Sequence, residues 1–239
     1  MRIECNTFWF PKRDNAIEDY EDAAAPNKFI RKTFKIFRCA VADGAAEASF
    51  SALWAKLLVT GYCDGLNIPK LQCDWRAQIP QGPLPWYVEE KAQKGAFATL
   101  VGLTIRASKE WEAQAIGDSC LVHTRAGVIL QSLPLSKAEQ FDNSPYLLSS
   151  KENHNQDLEQ FWTREKGVWK VGDTFFLMTD ALARWFFGRQ ERHKDALACL
   201  FELTDQESFN KFIERSNNDV DGQTRMRNDD VTLMKVRIK

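Results

Sequence analysis

Phe37–Glu47, FRCAVADGAAE, followed by Ala48–Val59, ASFSALWAKLLV, decides how this chain folds. The first half is dense in apolar and β-prone residues and ends at Asp43-Gly44, a turn dipeptide. In the second half Phe50, Leu53, Trp54, Leu57 and Leu58 recur at helical spacing. The segment therefore reads as a strand, a tight turn and an amphipathic helix, with a carboxylate at the polar end of the strand. Three other apolar runs carry an acidic residue in the same place: Asp22 in EDYEDAA, Asp180 in TFFLMTDALARWF and Asp229 in RNDDVTLMKV. A sheet that gathers those ends crowds carboxylates into one place, which is unfavourable unless a cation neutralises them. A divalent metal site is the leading expectation.

Around that segment the pattern is mostly β. Residues 2–10 and 33–42 suit paired strands, joined by the polar, Pro-punctuated stretch that contains Asp22. Residues 65–83 carry three prolines and irregular polarity, and PWYVEEKAQK, 85–94, reads as a further helix. AFATLVGLTIRA and KEWEAQAIGD read as strands, and CLVHTRAGVILQSL as a hairpin turning at Arg125-Ala126-Gly127. Residues 134–168 are polar and weakly periodic; VWKVGDTFFLMTD restores a strand, helices are expected over 181–189, 191–203 and 205–217, and VTLMKVRI closes the chain. Because the β segments follow one another through short turns, the fold class is α+β with antiparallel sheets and helices packed outside. A chain of 239 residues without repeat or linker is expected to form one domain, 1–239.

Formal net charge is −1, from 32 basic and 33 acidic residues, which argues against nucleic acid or a membrane surface as the main partner. The N-terminal MRIECNTFWF has no leader pattern, so the expected location is cytoplasmic. Six scattered cysteines form no C-x-x-C pair, which excludes a zinc site of the usual kind; Cys5, Cys39 and Cys120 read as buried free thiols. His123, His154 and His193 fall in no acid–base motif, and the run Leu182, Trp185, Phe186 reads as core.

The ordered series Glu21-Asp22-Ala23, Ala42-Asp43-Gly44, Gly117-Asp118-Ser119, Thr179-Asp180 and Asp229-Asp230-Val231-Thr232 resembles the metal-dependent type 2C protein phosphatase family over nearly the whole chain. The resemblance implies two stacked antiparallel sheets flanked by helices, an α-β-β-α sandwich with the metal centre at one end. It implies two ions, Mn²⁺ or Mg²⁺, with Asp43 bridging them, Asp22 and the Gly44 carbonyl on one, and Asp180 and Asp229 on the other. Glu21 would hold a metal-bound water, and Asp118 would join Asp180 at a third, weaker ion. The implied activity is hydrolysis of phosphoserine and phosphothreonine in a protein substrate, opposite a cognate kinase, and the implied variable flap falls within 134–168. A weakly catalytic or inactive relative that binds phosphoproteins is the alternative function. A hydrolase of small phosphorylated metabolites is a third.

The donor set fits that expectation independently, since oxygen ligands without Cys or His suit Mg²⁺ or Mn²⁺. Asp19 is a register alternative to Asp22, while Asp173 reads as a turn residue and Asp230 as a neighbour of the ligands. The chain departs from the family pattern at three places. Ala45, Ala46 and Glu47 follow Gly44 where glycines are usual, Ala181 follows Asp180 where glycine is usual, and Ile17 occupies the position of a phosphate-gripping arginine. Arg13 or Lys12, from the same loop, is the substitute expected to meet the substrate phosphate, with Arg13 the first choice.

Overall fold

The computed structural model describes residues 1–45, 50–80, 82, 90, 92–141, 144–192, 195–217 and 225–239. Two antiparallel sheets dominate. The first has the order β3 (Ile30–Thr33), β1 (Arg2–Phe10), β13 (Val231–Ile238), β12 (Thr174–Met178), β8 (Cys120–Arg125) and β9 (Val128–Leu133). The second runs β11 (Thr163–Val168), β7 (Glu110–Ile116), β6 (Leu100–Arg106), β4 (Ile36–Ala42) and β2 (Ala23–Ala25). A two-stranded sheet pairs β10 (Leu148–Ser149) with β5 (Phe97–Ala98). The main α-helices among the described residues are α1 (Ser51–Asp64), α2 (Ile68–Gln78), α3 (Asp180–Glu191), α4 (Ala196–Glu202) and α5 (Gln206–Asn217).

Strand alternation builds the layers. In β4 Phe37, Cys39 and Val41 face the space between the sheets, while Ala40 and Ala42 face Trp54, Leu58 and Trp75 of α1 and α2. In β12 Phe175 and Leu177 point inward, and Phe176 and Met178 pack under Leu182, Phe186 and Phe209 of α3 and α5. A sheet residue can serve two cores only because successive side chains leave opposite faces. Each fully buried Phe or Trp contributes roughly 2–3 kcal/mol of apolar transfer. On β13 the outward Lys235 gives its ammonium to the carbonyls of Phe201 at 2.9 Å and Leu203 at 2.8 Å, closing the C-terminal end of α4. The result is the α-β-β-α sandwich, with α1 and α2 over one sheet and α3 to α5 over the other.

The β8–β9 hairpin turns where expected, with Ala126 and Gly127 both at positive φ, 50° and 76°. Cys5, Cys39 and Cys120 are buried and unbridged. Three expectations are corrected. Residues 65–83 are not irregular throughout, since α2 starts after Asn67, whose side chain accepts from the Lys70 amide at 3.1 Å, and Pro69 fits the first turn, where no amide partner is needed. Residues 163–168 form edge strand β11 against β7; its half-buried positions are Thr163, Glu165 and Gly167, so no apolar alternation marks the strand. Asp173 is more than a turn residue: it is fully buried and receives a fork from Arg125, at 2.7 and 2.8 Å, together with His123 Nε2 at 3.0 Å. Most of the helix expected over 85–94 lies outside the described residues, as does His193. Among the described residues no helix is long and apolar enough to cross a membrane.

Candidate metal centre

Five chain segments bring carboxylates to one end of the sandwich. β4 ends at Asp43, β12 ends before Asp180, β13 begins after Asp229, the β7–β8 turn carries Asp118, and β2 begins after Asp22. Glu21, Asp43, Gly44, Asp118, Asp180, Asp229 and Asp230 line a single cavity of about 240 Å³. Asp22 is buried behind it and also borders a neighbouring cavity that contains Ile17, Tyr20 and Lys56.

Backbone bonding fixes the central segment. The Asp43 amide donates to Thr99 Oγ1 at 3.0 Å, the Thr99 amide donates to the Asp43 carbonyl at 2.8 Å, and Thr99 Oγ1 lies 2.6 Å from Ser119 Oγ. Gly44 is required sterically, since a Cβ there would lie 2.7 Å from the Glu21 carbonyl and 3.0 Å from the Ser51 backbone. Gly117 adopts φ +89°, and its missing Cβ leaves space for Thr99. These contacts lock Asp43, Glu21 and Asp118 into one frame.

Asp22 is held by residues whose roles the sequence reading did not assign. Its Oδ2 accepts from Thr179 Oγ1 at 3.0 Å and Thr232 Oγ1 at 2.8 Å, and Tyr20 closes a short bond onto Thr232. Its Oδ1 is buried without a hydrogen-bond partner among the described residues. A buried carboxylate oxygen left unpaired costs about 1–3 kcal/mol or more, so Oδ1 is a strong acceptor that no described residue satisfies. Glu21 bonds Ser51 at the start of α1, and Asp230 staples the adjoining loop by accepting the Lys12 and Glu21 amides, each at 2.7 Å.

The electrostatics agree. Burial, then the charges of Asp22, Asp180, Asp118 and Asp229, hold Asp43 well above the usual carboxylate range. Burial holds Asp22 there too, with Asp230 and Asp180 adding to it against the Thr232 and Thr179 bonds. Burial and Asp229 raise Asp180, although the Ala181 amide, Arg227 and Arg184 oppose them. Burial likewise raises Glu21 against its Ser51 bond. Carboxylates that draw protons this strongly also draw cations, and oxygen donors alone select hard ions. Among the described residues no three acidic, His or Cys side chains close on one point as a preformed cage. The carboxylates turn instead toward hydroxyls and amides, Glu21 to Ser51, Asp22 to Thr179 and Asp180 to the Ala181 amide.

Two departures from the family pattern resolve in the structure. Ala181 is the second residue of α3, outside the positive-φ region, so alanine fits without strain where the family usually has glycine. Arg13 is not among the described residues lining the cavity; its amide donates to Asn228 Oδ1 at 3.0 Å. The cation at the lip is Arg227, 3.9 Å from Asp180 and 3.7 Å from Asp229. Its proximity to Asp229 in RMRNDD was the available sequence signal. Ala45 extends the strand by donating to the Phe97 carbonyl at 2.9 Å, whereas Ala46 and Glu47 lie outside the described residues.

Comparison with known proteins agrees with this geometry. The family model described as protein phosphatase 2C matches residues 20–217. No curated protein matches the chain by sequence. Among solved structures, the photosystem II phosphatase PBCP aligns with TM-score 0.60 at 15% identity, covering 99% of each chain. RsbX in complex with magnesium aligns with TM-score 0.52 at 18% identity, covering 100% of this chain and 96% of RsbX. The catalytic domain of the serine/threonine protein phosphatase PstP with two manganese ions aligns with TM-score 0.54 at 16% identity, covering 99% of this chain and 100% of that domain. The ordered carboxylate motifs, the stacked sheets and the family match together establish that this chain belongs to the protein phosphatase 2C family.

Proposed function

We propose that the chain, acting as one domain, is a metal-dependent phosphatase that hydrolyses phosphoserine and phosphothreonine in a protein substrate. The observation that carries the reading is the convergence of Asp43, Asp180, Asp229, Asp118 and Glu21 on one cavity backed by Asp22, whose Oδ1 has no hydrogen-bond partner among the described residues. Asp22, Asp43 and the Gly44 carbonyl would hold one divalent ion, and Asp43, Asp180 and Asp229 a second. Asp118 with Asp180 would hold a third, weaker one. The magnesium in RsbX and the two manganese ions in PstP support this choice of ion. Bound there, such ions would supply an activated water and neutralise charge on the transferred phosphoryl group.

The chain's own residues orient the reactants. Asp43, fixed through Thr99, sets the centre of the site, and Glu21, with one oxygen on Ser51, offers the other to a cavity water. Arg227 stands at the lip, loosely paired and half exposed, where it can turn from Asp229 to the phosphoryl oxygens of a substrate. No side-chain nucleophile is required.

Turnover of an aryl phosphate and of a phosphothreonine peptide in Mn²⁺, in Mg²⁺ and in EDTA tests the reading. Hydrolysis with either ion that EDTA abolishes is expected. Binding of the phosphopeptide without turnover would instead identify a phosphoprotein-binding relative.

A further inference from the structure

Strand β2 is the last strand of its sheet, and it begins directly after Asp22. It pairs with β4 on one side, through Ala23↔Ala42, Ala24↔Val41 and Ala25↔Ala40. On its other side no backbone bond joins Ala23–Ala25 among the described residues. All three alanines line a groove of about 540 Å³, a volume within the roughly 300–1,000 Å³ of ligand sites. Trp9, Ile17 and Tyr20 line it together with Ala52 and Val59 of α1, and its charged members among the described residues are Asp22 and Lys56. Trp9 and Ile17 leave 39% and 64% of their surface exposed, as apolar groups that meet a partner do.

Sheet edges are ordinarily guarded by charged side chains, proline or a bulge. The residues of β2 are all alanine, and its register with β4 is unbroken. Proline comes only after the strand. Pro26 has no amide to offer, and its carbonyl accepts from Thr7 Oγ1 at 2.7 Å, so the open edge ends there. An added strand thus has about three residues to pair with, about 10 Å of edge. The other end leads to the acidic cavity, because Asp22 lines the groove while Glu21 beside it lines the cavity.

We infer that the extended segment preceding the scissile phosphoresidue adds to β2 as an antiparallel strand and sets an apolar side chain against Trp9 and Ile17. The inference rests on the phosphatase reading of the adjoining cavity. Antiparallel pairing is the more stable kind and the one used throughout this sheet. Since β2 runs away from Asp22, that direction lays the residues N-terminal to the phosphoresidue along the edge. Main-chain bonds then give affinity, and alternate side chains give specificity.

The test uses labelled peptides carrying a non-hydrolysable phosphonate analogue of phosphothreonine, with fluorescence anisotropy in Mn²⁺. Leucines in the three positions before the phosphonate should bind about tenfold more tightly than glycines, and leucines after it should add little. In the leucine peptide, N-methylation of alternate upstream amides should cost about tenfold and that of the intervening amides little, since every second residue faces the edge. A Thr60→Phe variant, which adds bulk at an exposed α1 position on the rim, should lose the leucine preference. Equal binding of the leucine and glycine peptides, a preference for leucine after the phosphonate, or indifference to N-methylation overturns the inference, and these wild-type measurements decide it even if the variant does not fold. A wild-type dimer in sedimentation that Thr60→Phe dissociates would assign the groove to a second copy and overturn it too. Absence of aryl phosphate turnover in the wild type would refute the phosphatase reading, while the N-methylation pattern still decides the groove.

Discussion

Replacement of Asp43 by Asn separates a metal centre from a merely acidic cavity. Asp22, Asp180, Asp118 and Asp229 all act on this carboxylate, and it sits at the end of a strand locked through Thr99. The substitution keeps the shape and removes the charge. A divalent ion at a hundred times its dissociation constant stabilises the native state by about 2.7 kcal/mol. For a chain of this size that is roughly 5–10 °C in Tm. If Asp43 bridges two ions, loss of its charge weakens both, and a hundredfold loss of affinity reduces the shift to about 1 °C at the same concentration. In EDTA the variant should melt at or above the wild type, because a repelled carboxylate has gone. Thermal melts of both proteins with and without Mn²⁺ give these numbers directly, and aryl phosphate turnover should fall about a thousandfold, roughly 4 kcal/mol of barrier. An Asp43→Asn variant with the full Mn²⁺ shift, or with undiminished turnover, would refute the assignment.

Gly44→Ala should lower Tm by several degrees, from a cost of about 2 kcal/mol or more, because the new methyl meets the Glu21 and Ser51 backbones; an unchanged melt refutes the close-approach argument. Asp173→Ala leaves Arg125 and His123 without their shared acid and should cost about 3 kcal/mol by chemical denaturation with the metal centre intact. Burial outweighs the Asp173 bond at His123 and holds its pKa below 6.5. The unfolded chain therefore binds more protons just below pH 6.5, so the stability that neutral His123 contributes is present above that pH and declines as pH falls through the folded pKa; His123→Gln should flatten that slope in melts run in EDTA. Amides of residues 152–161, in short 3₁₀ turns, should exchange at least about a hundredfold faster than those of β7, as expected for a mobile flap, and equal protection would contradict it. Ile17 is 64% exposed and borders the Asp22 cavity, so Ile17→Arg should lower KM for an aryl phosphate about three- to tenfold with little change in kcat; an unchanged KM would mean that Arg227 already fills the role.

Much of the fold could be read locally because its signals are local. The apolar, β-prone runs FRCAVA and TFFLM, the helical spacing from Phe50 to Leu58 and the Ala126-Gly127 turn each depend on a few neighbouring residues. The misreadings share one cause: tertiary placement outweighed composition. The proline-bearing stretch around α2 read as irregular, β11 read as a polar segment because its half-buried face is Thr163, Glu165 and Gly167, and Asp173 read as a turn residue until the fold delivered Arg125 to it.

The site divides the same way. The ordered motifs at Glu21-Asp22, Asp43-Gly44, Asp118, Asp180 and Asp229 are written in the sequence, because each is a short strand-end signature that retains its meaning alone. The sequence could not show that Thr179 and Thr232, 53 positions apart, hold the same oxygen of Asp22 while its other oxygen has no hydrogen-bond partner among the described residues. Nor could it select Arg227 over Arg13 or place the open edge of β2 beside the acidic end. Hydrogen bonds and charge act over a few ångströms of space whatever the distance along the chain, so only the tertiary structure decides which groups they join.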